Sequence, residues 1–337
     1  MHLKLILLLV ASFRLATLTA QQEFRIMEYN VENLFDCRHD SLKSDQEFLP
    51  ESLRGWNFSR YNDKLKHIAK VIMAAGGNHV PDLVGLCEIE NEHCAKGLVR
   101  YSPLREAGYK YIITDSPDER GIDVALLYQP QTFRHLATQI ISIPYQEIKR
   151  RPTRDILHVT GKIVSGDTLD VFVCHMPSRS GGEQETEPYR LFTASYLRKA
   201  ADSVMAVRQY PHVIIMGDFN DYPSNRALTE VLGAVKPDET AESHTLYNLM
   251  GGKPEGTYRY RGEWGILDQM IVNGYLLGSN PRVWTCYEDA QILRFPFLLE
   301  EDERYGGDTP FRTYKGMRYH GGYSDHLPVL LKLNVRE

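Results

Sequence analysis

The chain has 337 residues, 42% of them hydrophobic and 25% charged, which excludes a collagen-like, disordered or polytopic membrane protein and suits one large α/β domain. With 39 basic against 44 acidic residues the formal charge is −5, so charge alone implies no general affinity for nucleic acid. Five cysteines without a CxxC pair indicate neither a disulfide framework nor a thiolate zinc site.

The first twenty residues read as a secretory leader. Lys4 precedes an apolar run from Leu5 to Val10, and small residues follow up to Ala20. A membrane anchor needs roughly 20 apolar residues, and Arg14 interrupts this run, so no stable membrane insertion is expected. The expectation is a cleaved segment 1–20, a single domain over 21–337, and a periplasmic or secreted product. Cleavage removes Lys4 and Arg14 and brings the charge to −7.

Short apolar runs bounded by Gly, Pro, Asp or Asn then predict strands at Phe24–Tyr29, Asp82–Ile89, Lys110–Thr114, Asp123–Tyr128, Ile156–Val164, Leu169–Cys174, Val213–Met216, Ile266–Val272 and Pro328–Val335. Apolar residues at helical spacing predict helices over Tyr61–Ala75 and Tyr189–Arg208, with a weaker one after Ser224. Residues 110–174 run strand after strand, which implies antiparallel pairing there. Many strands and few helices favour sheets packed on each other with helices outside. The segment from Arg282 to His320 resists assignment; its eight aromatic residues argue against disorder and suit either a lid, a stacking surface or a packed side layer. Cys87 and Cys94 are close enough to pair, while the apolar run around Cys87 equally suits a buried thiol.

Polar residues interrupt these runs at strand ends: Asn30, Glu88, His175, Asp218 with Asn220, Asp268, and Asp325 with His326. Each alone suits a turn or a cap. Together they suit convergence on one cation or one polar substrate, because an unpartnered buried carboxylate costs several kcal/mol.

Tyr29-Asn30-Val31-Glu32-Asn33, the Glu88 strand end, Gly217-Asp218-Phe219-Asn220 and Ser324-Asp325-His326 occur in an order that resembles the endonuclease/exonuclease/phosphatase superfamily, closest to its secreted bacterial nuclease-like members. The resemblance spans about residues 24–335. It implies a four-layer α/β sandwich, two mixed and mostly antiparallel sheets face to face with helices on the outside. It also implies metal-dependent phosphoester hydrolysis. By the same resemblance Glu88 and Asn30 hold Mg²⁺ (or Mn²⁺), with Asp325 contributing, and Asp218 orients or deprotonates the attacking water. Asn220 and His175 contact the phosphate, and His326 donates to it or acts in proton transfer, oriented by Asp268. Arg179, in the loop after His175, is a candidate phosphate contact. Asp123 and Arg154 are weaker candidates, Asp123 reading best as a turn residue.

The substrate expected is a phosphodiester or phosphomonoester, with nucleic acid as the default. Alternatives are inositol phosphates, phospholipid headgroups or nucleotides, and a non-catalytic binding protein on the same fold. The densest basic run is Lys149-Arg150-Arg151, followed by Arg154.

Overall fold

A computed structural model of the chain describes residues 21–237, 241–278 and 282–336. The expected leader, residues 1–20, lies outside them. The principal strands are β1 (Gln21–Leu34), β2 (Leu83–Ile89), β3 (Lys110–Ile113), β4 (Asp123–Tyr128), β5 (Phe133–Ile141), β6 (Ile156–Ile163), β7 (Thr168–His175) and β8 (Val213–Asp218). The strands Asp268–Asn273 and Val329–Arg336 follow. The helices are α1 (Phe58–Gly76), α2 (Glu92–Tyr101) and α3 (Glu183–Val207).

Two seven-stranded sheets form among the described residues. The first runs from Val283–Trp284 through Val329–Arg336, β1, β2 and β4 to β3, with Ala290–Ile292 also on the Val329–Arg336 strand. The second runs β5, β6, β7, β8, Asp268–Asn273, Leu246–Asn248 and Ala234–Val235. Pairing is antiparallel except between β1 and β2, β7 and β8, and the Leu246–Asn248 and Ala234–Val235 strands.

Alternation along each strand divides the apolar residues among three layers. Phe24 and Ile26 of β1 and Ile214 and Met216 of β8 lie in the cluster between the sheets. Met27 and Tyr29 turn the other way, onto Leu65, Ile68 and Ile72 of α1. Val213 and Ile215 meet Ala194, Leu197 and Ala201 of α3. The order is therefore helix, sheet, sheet, helix, the four-layer sandwich expected. Truncating a fully buried member such as Leu65 to Ala removes about 2–5 kcal/mol.

The expected strands are present, most with shifted ends. β5 was not foreseen: from Arg134 to Gln139 every residue is exposed, so no buried face marks it. α2 was also missed, and α3 starts six residues before Tyr189, its polar first turn hiding the periodicity. In place of the weaker helix there is a short π-type turn at Ala227–Leu232. Within residues 110–174 neighbours in one sheet do pair antiparallel, but the chain changes sheets between β4 and β5.

The aromatic segment is a packed side layer. Hairpins Leu299–Glu301/Asp308–Pro310 and Tyr314–Lys315/Arg318–Tyr319 cover the α1 side of the first sheet, with Leu298 and Tyr314 buried in its core. All five cysteines are unpaired; Cys87 lies between the sheets and Cys94 on the helix side of the first. No helix among the described residues is long and apolar enough to cross a membrane.

Candidate active site

Strand register places much of the site. In the second sheet His175 pairs with Asp218, and Asp218 with Asp268, so three polar residues form one row across adjacent strand ends. In the first sheet Asn30 pairs with Cys87, one residue before Glu88. Asn30 bridges the sheets: its Nδ2 donates to Asp218 Oδ2 at 3.1 Å, while its Oδ1 accepts the Glu32 N–H at 3.0 Å.

The backbone departs from regular strand at these residues. The β1/β2 register shifts between Asn30 and Leu34, and the β2/β4 register between Cys87 and Ile89. Glu32, Asn33, Glu88 and Asn220 have left-handed φ values of 51, 57, 66 and 49°. A residue with no cross-strand partner is re-aimed out of the pleat, and here Glu88 faces the cleft. Left-handed backbone at non-glycine residues is costly and concentrates at functional sites. Gly217 supplies another constraint: its φ is 143°, and a Cβ there would lie 1.8 Å from the Cys174 carbonyl oxygen.

His326 completes the row. Ser324 Oγ donates to the Asn30 carbonyl, and His326 N–H donates back to Ser324 Oγ, which fixes the turn before the Val329–Arg336 strand. The imidazole Nδ1 donates to Asp268 Oδ2 at 2.7 Å, leaving Nε2 3.9 Å from Asp218 Oδ2. His175 Nε2 is 3.5 Å from Asp218 Oδ2 and 4.0 Å from Glu88 Oε1. Its Nδ1 is buried without a partner among the described residues, as are one oxygen each of Asp268 and Glu28.

Burial acts on Asp218 and both histidines. Together with the Asp268 charge, and against the pull of His326, it pushes Asp218 up to about 7. Burial also disfavours the imidazolium of His326, but the Asp268 and Asp218 carboxylates outweigh it and hold this histidine well above the ordinary range. His175 goes the other way, lowered by burial and then by the Arg154 charge. Two neighbouring histidines are thus set to different protonation states, one charged and one neutral near pH 7.

The donors fit a hard cation. Glu88 Oε2 accepts the Asn33 N–H, while Oε1 receives no protein donor among the described residues and opens toward the cleft. All-oxygen donors and few carboxylates are the preference of Mg²⁺. Asp218, Asp268 and His326 also bring ligand atoms within 4.8 Å of one another. The Nδ1 bond to Asp268 already commits that trio to a hydrogen-bonded array. Asp325 lines the cleft and is bound through Oδ2 to Arg312 at 3.0 Å.

Asn220 donates from Nδ2 to the Met176 carbonyl at 3.1 Å, leaving its second amide hydrogen free, and its N–H caps Asp218 Oδ1. Arg179 borders the same cleft, but its guanidinium is occupied by the Asn220 carbonyl at 2.6 Å, Asn225 at 3.1 Å and Glu183 at 3.3 Å. Arg154 is buried: it holds the His175 and Met176 carbonyls and pairs with Asp118 at 3.0 Å. Asp123 accepts the Ser116 N–H and ties a turn.

Sequence reasoning missed four features. Glu28 is fully buried, and burial followed by the Asp268 charge raises its carboxyl well above the usual range. Arg312 spans Glu32 at 3.2 Å and Asp325 at 3.0 Å, drawing the aromatic segment onto the site. Lys64 is buried beneath it, donating to Thr313 Oγ1 and the Tyr323 carbonyl, and burial brings it down to about 8. Tyr222, Tyr258 and Tyr260 line the cleft, whose volume is about 650 Å³. Only Glu28, a charge inside an apolar strand, carried a sequence signal.

The sequence matches the Endonuclease/Exonuclease/phosphatase family over residues 25–335. No curated protein matches it. Among solved structures it is similar to humanised D. rerio TDP2, with 14% identity, a TM-score of 0.56, and 93% of this chain and 99% of that one covered. The human nocturnin catalytic domain with bound sulfate gives 17% identity and a TM-score of 0.55, covering 93% and 94%. The Bacteroides thetaiotaomicron mannosyl-6-phosphatase gives 16% identity and a TM-score of 0.56, covering 92% and 99%. At these identities the likeness is one of fold.

Proposed function

The chain belongs to the endonuclease/exonuclease/phosphatase family, and from that premise we propose that it is a Mg²⁺-dependent phosphodiesterase of nuclease type, exported after loss of residues 1–20. The observation that carries the reading is the row His175–Asp218–Asp268 closed by His326, with Asn30 and Glu88 facing it.

A phosphodiester resists hydrolysis because its anionic oxygens repel an incoming hydroxide. Glu88 and Asn30, with Asp325, are the residues that would hold the cation. When bound, the cation neutralises charge on the phosphate and on the leaving oxygen. Asp218 takes the proton of the attacking water; a carboxylate near 7 is well matched to that transfer. His326, charged, donates from Nε2 to the phosphate, and Asp268 fixes its tautomer through Nδ1. His175, neutral, lies on the opposite side of Asp218 and contributes a hydrogen bond without adding charge. Asn220 donates its free amide hydrogen to a phosphate oxygen. Arg179 acts indirectly, by holding the Asn220 carbonyl.

The test is a substrate panel with purified protein, Mg²⁺ or Mn²⁺, and Asp218→Ala as control. The panel holds plasmid, single strands, a nitrophenyl phosphodiester, inositol phosphates and sphingomyelin. Metal-dependent nicking that falls at least a hundredfold in the control is expected. Release of phosphate or headgroup, with nucleic acid untouched, would replace the nuclease reading by a phosphatase or phospholipase one. No turnover of any substrate would leave a binding protein. Export is checked by the N-terminus of the mature product, expected at Gln21.

A further inference from the structure

Beside the candidate cleft lies a second depression of about 570 Å³, lined by residues 118–120 and 149–154 together with the loop after His175. The two share Arg120, Ser178 and Ser180, so they adjoin. The mechanism above makes no use of it.

Its framework is held in place. The buried Arg154–Asp118 pair forms part of it, and Arg154 also grips the backbone that carries His175. Lys149 turns the chain with a left-handed φ of 54°, its N–H bonded back to Gln146. Arg150 lies against the Tyr189 ring at 4.1 Å, which restrains its guanidinium.

The charges on this frame do not cancel. Arg151 is matched by Glu119 at 2.7 Å, and Arg120 meets Asp118 only at 3.9 Å. Lys149 and Arg150 have no carboxylate within 4.0 Å among the described residues. In a chain of net charge −5 this is a local excess of unpaired cations next to the proposed hydrolytic centre. The cleft itself is lined by tyrosines: Tyr222 lies against Arg179 at 4.1 Å, and Tyr260 is 57% exposed. A rigid guanidinium and an ammonium match phosphate oxygens, while exposed rings match the flat faces of bases.

We propose that this groove binds a phosphate adjacent to the scissile one on a polynucleotide strand, with bases received on the cleft tyrosines. The assignment rests on the phosphodiesterase reading and narrows its substrate to one carrying repeated phosphates and flat rings. A sugar monophosphate has no second phosphate for the groove, and an inositol polyphosphate, which has one, offers the tyrosines no flat π-face.

The test measures binding, not turnover. Fluorescein-labelled oligothymidylate of eight residues is titrated into the full chain in EDTA, at several salt concentrations. Lys149→Glu/Arg150→Glu is compared with wild type and with Lys199→Glu, an exposed charge reversal on α3; circular dichroism confirms folding. The double variant is expected to bind at least tenfold more weakly at 50 mM salt. Loss of the contact to that phosphate should also reduce the salt slope by about 0.7. Affinity and slope equal to those of Lys199→Glu, or no binding by wild type, would overturn the groove. Adenosine 3′,5′-bisphosphate is the competing arm: displacement as effective as unlabelled oligomer overturns the strand in favour of a small bisphosphate. Because no metal or turnover enters, strand binding by a chain that hydrolyses nothing would sink the hydrolase reading alone.

Discussion

Asp218 and His326 titrate against a shared background of buried charge, and that sets the expected pH dependence. On the proposed mechanism Asp218 must be ionised to take a proton, so kcat/KM should rise on the acid side, at or below about pH 7, since a cation held at Glu88 would lower the carboxyl further. On the same mechanism His326 must be protonated to donate, so activity should fall at alkaline pH, well above the ordinary imidazole range. Asp268→Asn removes the strongest charge supporting the imidazolium. The alkaline limb is then expected to move down by at least one unit in a pH–rate profile; an unmoved limb would mean that His326 is not the group titrating. His326→Ala should lower kcat about 10²–10⁴-fold with its melting temperature little changed.

At the scale of the element, the irregular residues matter more than the regular ones. Gly217→Ala would force a methyl group into the Cys174 carbonyl at the β7/β8 contact that aligns His175 with Asp218. A loss of more than about 3 kcal/mol, or failure to fold, is expected from urea melts. The contrast between Gly217 and β5 explains what the sequence made legible. Central strands such as β2 and β8 are buried on both faces and stand out as apolar runs, and their polar ends mark the cleft. β5 lies at an edge with exposed residues on both faces, so neither composition nor alternation reveals it. Within the site, Asn30, Glu88, Asp218 and His326 sit in short motifs and could be read. The Arg312 bridge, the cleft tyrosines and the hydrogen bonds that occupy Arg179 depend on residues brought from distant segments, which no local pattern encodes.

For the whole molecule, acid stability has an identifiable anchor. Asp170 is buried in β7, where burial alone would raise its carboxyl. It accepts from His158 Nε2 at 3.0 Å, Thr160 Oγ1 at 2.6 Å, and Arg208 at 2.8 and 3.0 Å, joining β6, β7 and the residue after α3. These donors outweigh burial and hold it well below the usual carboxylate range. A depressed native pKa contributes stability above the unfolded value of about 4 and loses it as pH falls toward the native one. Asp170→Asn should therefore cost on the order of 2–3 kcal/mol at pH 7, reduced on the solvent-facing Arg208 side. In denaturant melts the gap between variant and wild type should narrow below about pH 4. A gap independent of pH would assign the loss to packing.

The pairing of Gln21 with Arg336 has a bearing on timing. β1 waits, with one edge open, for a neighbour translated some 300 residues later, and the imidazole opposite Asp268 arrives just ahead of that neighbour. A nascent chain still being elongated therefore holds its carboxylates without their acid partner. On the proposed mechanism, hydrolysis would begin only once the last strand has been made, whatever the phosphoester.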